Sequence, residues 1–149
     1  MFAPPPNVTD YTTFLYEVVG IPAANLPSTA PIIAMSLQIA TDIVSKAILF
    51  ASADMYVLAV YNLAADRLFN FASDVEGQTY FDDYRKKWKI LSLSVGVPAA
   101  ASDQGTSVGL LNPESLKGLT LANLQNLKTP MGRDYLQIAQ SLGAIWGVS

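Results

Sequence analysis

Along the first half of this chain the apolar residues recur every three or four positions, the period of an α-helix with one buried face. Tyr11, Phe14, Leu15 and Val18 make one such face and predict a first helix over Tyr11 to Val19. Thr9 and Asp10 stand where an N-cap is needed, and Gly20 followed by Pro22 ends the helix. Ser28-Thr29 with Pro31 opens the next one, because a proline in the first turn gives up an N–H that has no intrahelical acceptor anyway. From there Ile33, Leu37, Ala40, Val44, Ala47, Ile48 and Ala51 recur, while Gln38, Thr41, Asp42, Ser45 and Lys46 gather elsewhere. The pattern predicts one long amphipathic helix. Asp54 is placed to cap a third helix from Met55 to about Ser73, and the very short connection at Phe50 to Ala53 makes the pair a central antiparallel hairpin.

The third helix is apolar nearly all round, except that Asn62, Asp66 and Asn70 fall at i, i+4 and i+8 and form one polar stripe. A solvent-facing edge is the plain reading of that stripe; a hydrogen-bonded subunit seam is the other, since a helix apolar on its remaining faces is usually enclosed. After a turn at Asp74 to Thr79, the run Tyr80 to Ile90 mixes aromatics with Arg85, Lys86, Lys87 and Lys89. Phe81, Tyr84, Trp88 and Leu91 are spaced as a helical face, which leaves the four bases solvated; aromatics interleaved with bases are also the means of stacking nucleotides while neutralising phosphates. Ser92 to Leu111 carries Gly96, Pro98, Gly105 and Gly109 and reads as a loop or thin hairpin. Asn112-Pro113 starts a helical turn that Gly118 ends, Thr120 begins a Leu121, Leu124, Leu127 face, and Thr129-Pro130 caps a last helix that stops around Gly143. The predicted fold is mainly α: a small helical bundle in one domain over 1–149, with an N-terminal arm 1–8, an extended loop 92–111 and a C-terminal tail 144–149.

Composition narrows the chemistry. The chain has 149 residues with no cysteine and no histidine, which removes disulfides, most zinc sites, and the Ser-His-Asp and Cys-His nucleophile pairs. No Gly-rich phosphate or dinucleotide motif follows a predicted strand. Asp82-Asp83, and Asp134 with Glu114, are the carboxylate groupings to weigh as acid–base or metal sites, but adjacent helical positions point about 100° apart and do not converge on one ion. A non-enzymatic protein without cofactor or metal is expected. The net charge of −3 gives no overall attraction to nucleic acid. Met1 to Asn7 lacks a basic segment and its prolines interrupt any apolar run, so it does not read as a signal peptide.

The 51% hydrophobic and 14% charged content suggests either a membrane protein or a subunit that buries surface against neighbours. A span needs roughly 18 to 20 nearly uninterrupted apolar residues. Pro31 to Phe50 contains Gln38, Asp42 and Lys46, each charge costing about 2.5 to 3.5 kcal/mol at a helix centre. Met55 to Ala65 is too short and runs into Asp66-Arg67.

Three phrases, Phe14-Leu15-Tyr16-Glu17-Val18-Val19-Gly20-Ile21-Pro22, Tyr56 to Asp66 (YVLAVYNLAAD) and Leu127 to Leu136 (LKTPMGRDYL), resemble the head-to-tail connector adaptors, or head-completion proteins, of tailed bacteriophages. The resemblance runs in order over most of the chain, and Met131 stands where such proteins often carry an aromatic residue. It implies a helical subunit of a homo-oligomeric, commonly dodecameric ring that sits beneath the portal protein, extends the channel for packaged DNA and offers a docking surface to a downstream tail or neck protein. Its place is then the virion neck, and the host cytoplasm during assembly. The C-terminal segment of similar proteins reaches along the portal, which maps portal binding to Leu142, Ile145, Trp146 and Val148. Subunit contacts are expected at Asn62, Asp66, Asn70, Arg133 and Asp134, and channel DNA at Arg85, Lys86, Lys87 and Lys89. The alternative is a small membrane protein of holin type, favoured by the apolar balance; a third class is an accessory factor that binds nucleic acid in a salt-sensitive way.

Overall fold

The computed structural model describes residues 4–91, 97–100, 109–111 and 125–142, and the molecule is mainly helical, a small bundle. Helix α1 spans Val8–Thr13 and continues as a π-turn over Phe14–Val18. Its cap is Asn7, whose side chain accepts the Asp10 N–H at 2.9 Å, so the helix starts earlier than the Thr9-Asp10 signal suggested and the arm is shorter. Asn7 is held in turn by Tyr61, which takes its N–H at 3.2 Å. Gly20, at φ 81°, ends the element as expected, and Ile21 N–H closes the turn on the Leu15 carbonyl at 3.0 Å.

Helix α2 runs Pro31–Ile43 with Pro31 in its first turn. The long helix expected to reach Ala51 is broken at Val44, which is extended at ψ 123°; a single turn, α3 (Ile48–Ala51), follows. Ser45 Oγ accepts the Ala47 N–H at 3.3 Å, offering the backbone a local partner in place of the helical ladder. Val44 and Ile48 are both buried, and Phe50 projects into solvent. Ser52, not Asp54, caps α4 (Ala53–Phe71), accepting the Met55 N–H at 3.3 Å.

Helix α4 is the axis of the bundle: Val57, Val60, Tyr61, Ala64, Ala65 and Leu68 are all buried, with α2 on one side and the last helix on another. Tyr56 feels the charge of Asp42, while Tyr61 meets Tyr11, which hydrogen-bonds Ser36 at 3.3 Å; the ascending order on α4 thus matches a descending order on α2, an antiparallel pair. Helix α5 is Tyr80–Lys87, shorter than the Tyr80 to Ile90 run. Lys89 adopts φ 51°, so Ile90 turns into the core and Leu91 out to solvent, and Leu91 leaves the aromatic face on which the periodicity placed it. Val97–Ala100 (β1) and Gly109–Leu111 (β2) pair antiparallel within the stretch read as a loop or thin hairpin, whose other positions lie outside the described residues. Helix α6 is Pro130–Ser141, capped by Thr129 with Pro130 at its first position, as the Thr-Pro signal predicts. The Asn112 to Gly118 turn and the Leu121 and Leu124 positions lie outside the described residues.

Candidate functional site

The start of α6 is tied to α4 through one hydroxyl. Thr129 Oγ1 accepts the Gly132 N–H at 2.9 Å and donates to Asp66 Oδ1 at 2.5 Å, so the residue that caps α6 also fastens it to the middle of the central helix. Gly132 is required by close approach: a Cβ there would stand 2.0 Å from the Asn126 carbonyl oxygen and 2.8 Å from Asp66 Oδ1. Asp66 has 0% exposure, and burial raises its carboxyl to about 6 against the lowering effects of the Thr129 hydrogen bond and the Arg67 charge. Asn70 Nδ2 donates to the Asp66 backbone carbonyl at 2.7 Å, and Asn62 Nδ2 to that of Leu58 at 3.0 Å.

The stripe at Asn62, Asp66 and Asn70 is therefore not a solvent-facing edge. Its central carboxylate is spent inside its own chain, so Asp66 is not available to a subunit seam; α4 is enclosed on the side where the stripe lies, and the cap of α6 is what meets it. Asn62 remains useful at a surface, because with Phe14, Val18, Val19, Phe69, Tyr80, Tyr84, Trp88, Pro130, Met131 and Asp134 it lines a groove of about 260 Å³. The walls are aromatic: Phe69 meets Trp88 at 4.9 Å edge to face, and Tyr84 lies 4.7 Å from Trp88 and 4.9 Å from Tyr80 between ring centroids. Asp134 is exposed and Asn62 nearly buried, so the polar atoms are few and the interior apolar. Arg133, also exposed, donates to the Leu127 carbonyl at 3.1 Å across the Thr-Pro turn. All three phrases that carry the adaptor resemblance contribute to this groove, and Met131, the point of departure, is one of its walls.

Of the four bases expected at DNA, Arg85 is otherwise engaged. Its Nη1 donates to the carbonyls of Ala72 at 2.6 Å and Phe69 at 3.3 Å, its Nη2 lies 3.7 Å from Asp74, and its side chain is only 15% exposed. It caps carbonyls at the end of α4, where the helix itself supplies no further N–H partners. Asp74 in turn accepts the N–H groups of Phe81 at 2.6 Å and Asp82 at 3.0 Å, so the Arg85–Asp74 pair joins the end of α4 to the start of α5. Replacing Arg85 by alanine is expected to lower stability by about 1.5 to 3 kcal/mol, since a charged donor to two carbonyls is lost. Lysine should recover less than half of this, because one ammonium cannot reproduce the guanidinium fork; urea titration of the three proteins checks both. Lys86 pairs with Asp82 at 2.6 Å on the surface, Lys87 Nζ sits 5.4 Å over the Tyr84 ring, and Lys89 is exposed. These three remain accessible to an anionic partner.

Leu142, the first of the residues mapped to portal binding, is half-buried against the core at the end of α6; Ile145, Trp146 and Val148 lie outside the described residues. Among the described residues no group of three acidic side chains is placed to hold a metal ion, and no helix is long and apolar enough to cross a membrane. No family model, no curated protein and no solved structure matches this chain.

Proposed function

We propose that this chain is a non-enzymatic structural subunit of a phage head-to-tail connector, assembling as a ring beneath the portal, extending the DNA channel and receiving a downstream tail or neck protein. One observation carries the reading. The three sequence phrases that resemble the adaptors are far apart in the chain, yet they fold onto one another: the rings of Phe14 and Tyr61 meet at a tilt, 5.7 Å between centroids, Asp66 takes the Thr129 hydroxyl, and all three line one groove. That the phrases build a single tertiary unit supports the reading, because a common architecture requires them to meet. A large exposed apolar inventory agrees with a subunit that associates: Phe50, Leu91, Val18 and Phe71 are all solvent-facing.

In this reading Lys86, Lys87 and Lys89 are the bases left for channel DNA, and the tail from Leu142 onward grips the portal. A large buried side chain is worth roughly 1.5 to 3 kcal/mol over an exposed one, so the Ile145, Trp146 and Val148 side chains have reason to dock. Deleting Ala144 to Ser149 should abolish co-sedimentation with a portal ring while leaving the far-ultraviolet dichroism of the bundle unchanged. Undiminished co-sedimentation would remove the tail as anchor, and electron micrographs showing no rings, alone or on the portal, would remove the connector reading.

A further inference from the structure

Two apolar features of this chain are left unmatched among its described residues. Phe50 is 94% exposed, although the turn that carries it is well anchored: Ile48 is buried beside it, its own N–H bonds the Ala47 carbonyl at 3.1 Å, and Ser52 caps α4 directly after it. Leu49 and Met55 add exposed apolar surface around this knob, and Lys46 stands next to it. The second feature is the aromatic groove between the π-turn, α4, α5 and α6. At about 260 Å³ it is smaller than the roughly 300–1,000 Å³ of ordinary small-molecule pockets, and it is of the size that one or two side chains fill.

Phe50 cannot reach the groove of its own chain. It precedes the first turn of α4, whereas the groove's floor is at Asn62 and Phe69, roughly 15 to 25 Å further along the helix axis at 1.5 Å per residue. The charges complete the match: Lys46 beside the knob and Asp134 at the groove have no ion-pair partner among the described residues. Asp42, on the knob's side, already receives Gln38 Nε2 at 3.0 Å.

We infer that Phe50 of one copy seats in the aromatic groove of the next, with Lys46 meeting Asp134. The occupant of the groove is a second copy of this chain. Because the knob and the groove are different surfaces at different levels of the bundle, the contact is heterologous and propagates head to tail, which closes a ring or extends a filament. This inference rests on the ring reading and names the contact that builds it; an aromatic anchor in a desolvated pocket, bordered by one charge pair, is the form of an interface hot spot.

Sedimentation velocity on the full chain tests it. Phe50→Asp should weaken self-association at least about 30-fold, with dichroism and melting unchanged because the side chain is already in solvent. Val18→Glu, on the exposed wall of the groove, should do the same from the other side. Mixed together, the two variants retain one intact groove and one intact knob and should pair as dimers that grow no further. Assembly of Phe50→Asp equal to the wild type overturns the knob while leaving the ring reading standing. A chain ending at Leu142 that loses assembly, with Phe50→Asp retaining it, puts the tail in the groove and likewise overturns the proposal. A wild-type chain that stays monomeric at every concentration removes the ring reading together with it.

Discussion

Replacing Gly132 by alanine is expected to destabilise the protein by about 3 kcal/mol or more, although alanine is the better helix former by about 1 kcal/mol in an unconstrained helix. The added Cβ would lie 2.0 Å from a backbone oxygen, that of Asn126, and 2.8 Å from the Asp66 carboxylate. Neither neighbour can rotate away, since the first is main chain and the second is held by Thr129. Relief requires α6 to move off α4, which breaks the cap bond and opens the wall formed by Pro130, Met131 and Asp134. A thermal melt should shift down by roughly 10 °C, and assembly should weaken with it. A melting point within a degree or two of the wild type would mean that residue 126 and α6 separate freely, and the node at Asp66 would lose its importance.

The second large effect concerns pH. The folded state holds the Asp66 carboxyl at about 6, well above the usual carboxylate value near 4, because burial disfavours the charge. A proton therefore binds the folded chain more tightly than the unfolded one. The stability this contributes is complete below the unfolded value and is lost as pH rises through about 6, a change of about 3 kcal/mol from this residue. Asp66→Asn keeps an oxygen to accept from Thr129 and carries no charge; it gives up the long 3.4 Å contact of Asn70 Nδ2 with Asp66 Oδ2, while the shorter Asn70 bond, at 2.7 Å to the backbone carbonyl, survives. The variant should be the more stable protein at pH 7.5, by about 2 to 3 kcal/mol, and the two should converge near pH 4. Denaturant midpoints measured across that window decide it; parallel curves would show that water reaches the carboxylate.

The parts of the fold that were legible beforehand are those whose cause is local. Thr129-Pro130 starts a helix because a threonine oxygen and a preset proline φ act within one turn, and α6 begins there. Pro31 and Gly20 mark their helix ends for similar reasons. Local signals failed where several were equivalent: Asn7, Thr9 and Asp10 are all good caps, and the one chosen is the one that Tyr61, far along the chain, holds in place. The break at Val44 carries no proline or glycine to announce it.

What the sequence determined by itself is the mainly helical bundle, the starts of α2 and α6, and the exclusion of cysteine- and histidine-based chemistry, because period, capping and composition are properties of neighbouring residues. What only the tertiary structure decided is the fate of the polar groups and the shape of the surface. The Asn62–Asp66–Asn70 stripe has the spacing of a solvated face, yet Asp66 is enclosed through a partner 63 positions away. Arg85 has the pattern of a surface base, yet it closes the end of α4. The groove draws its walls from residues between Phe14 and Asp134 and so belongs to no local segment. The physical reason is the same each time: hydrogen bonding and burial act over a few ångströms of space, and only the folded path of the chain brings distant residues within that range.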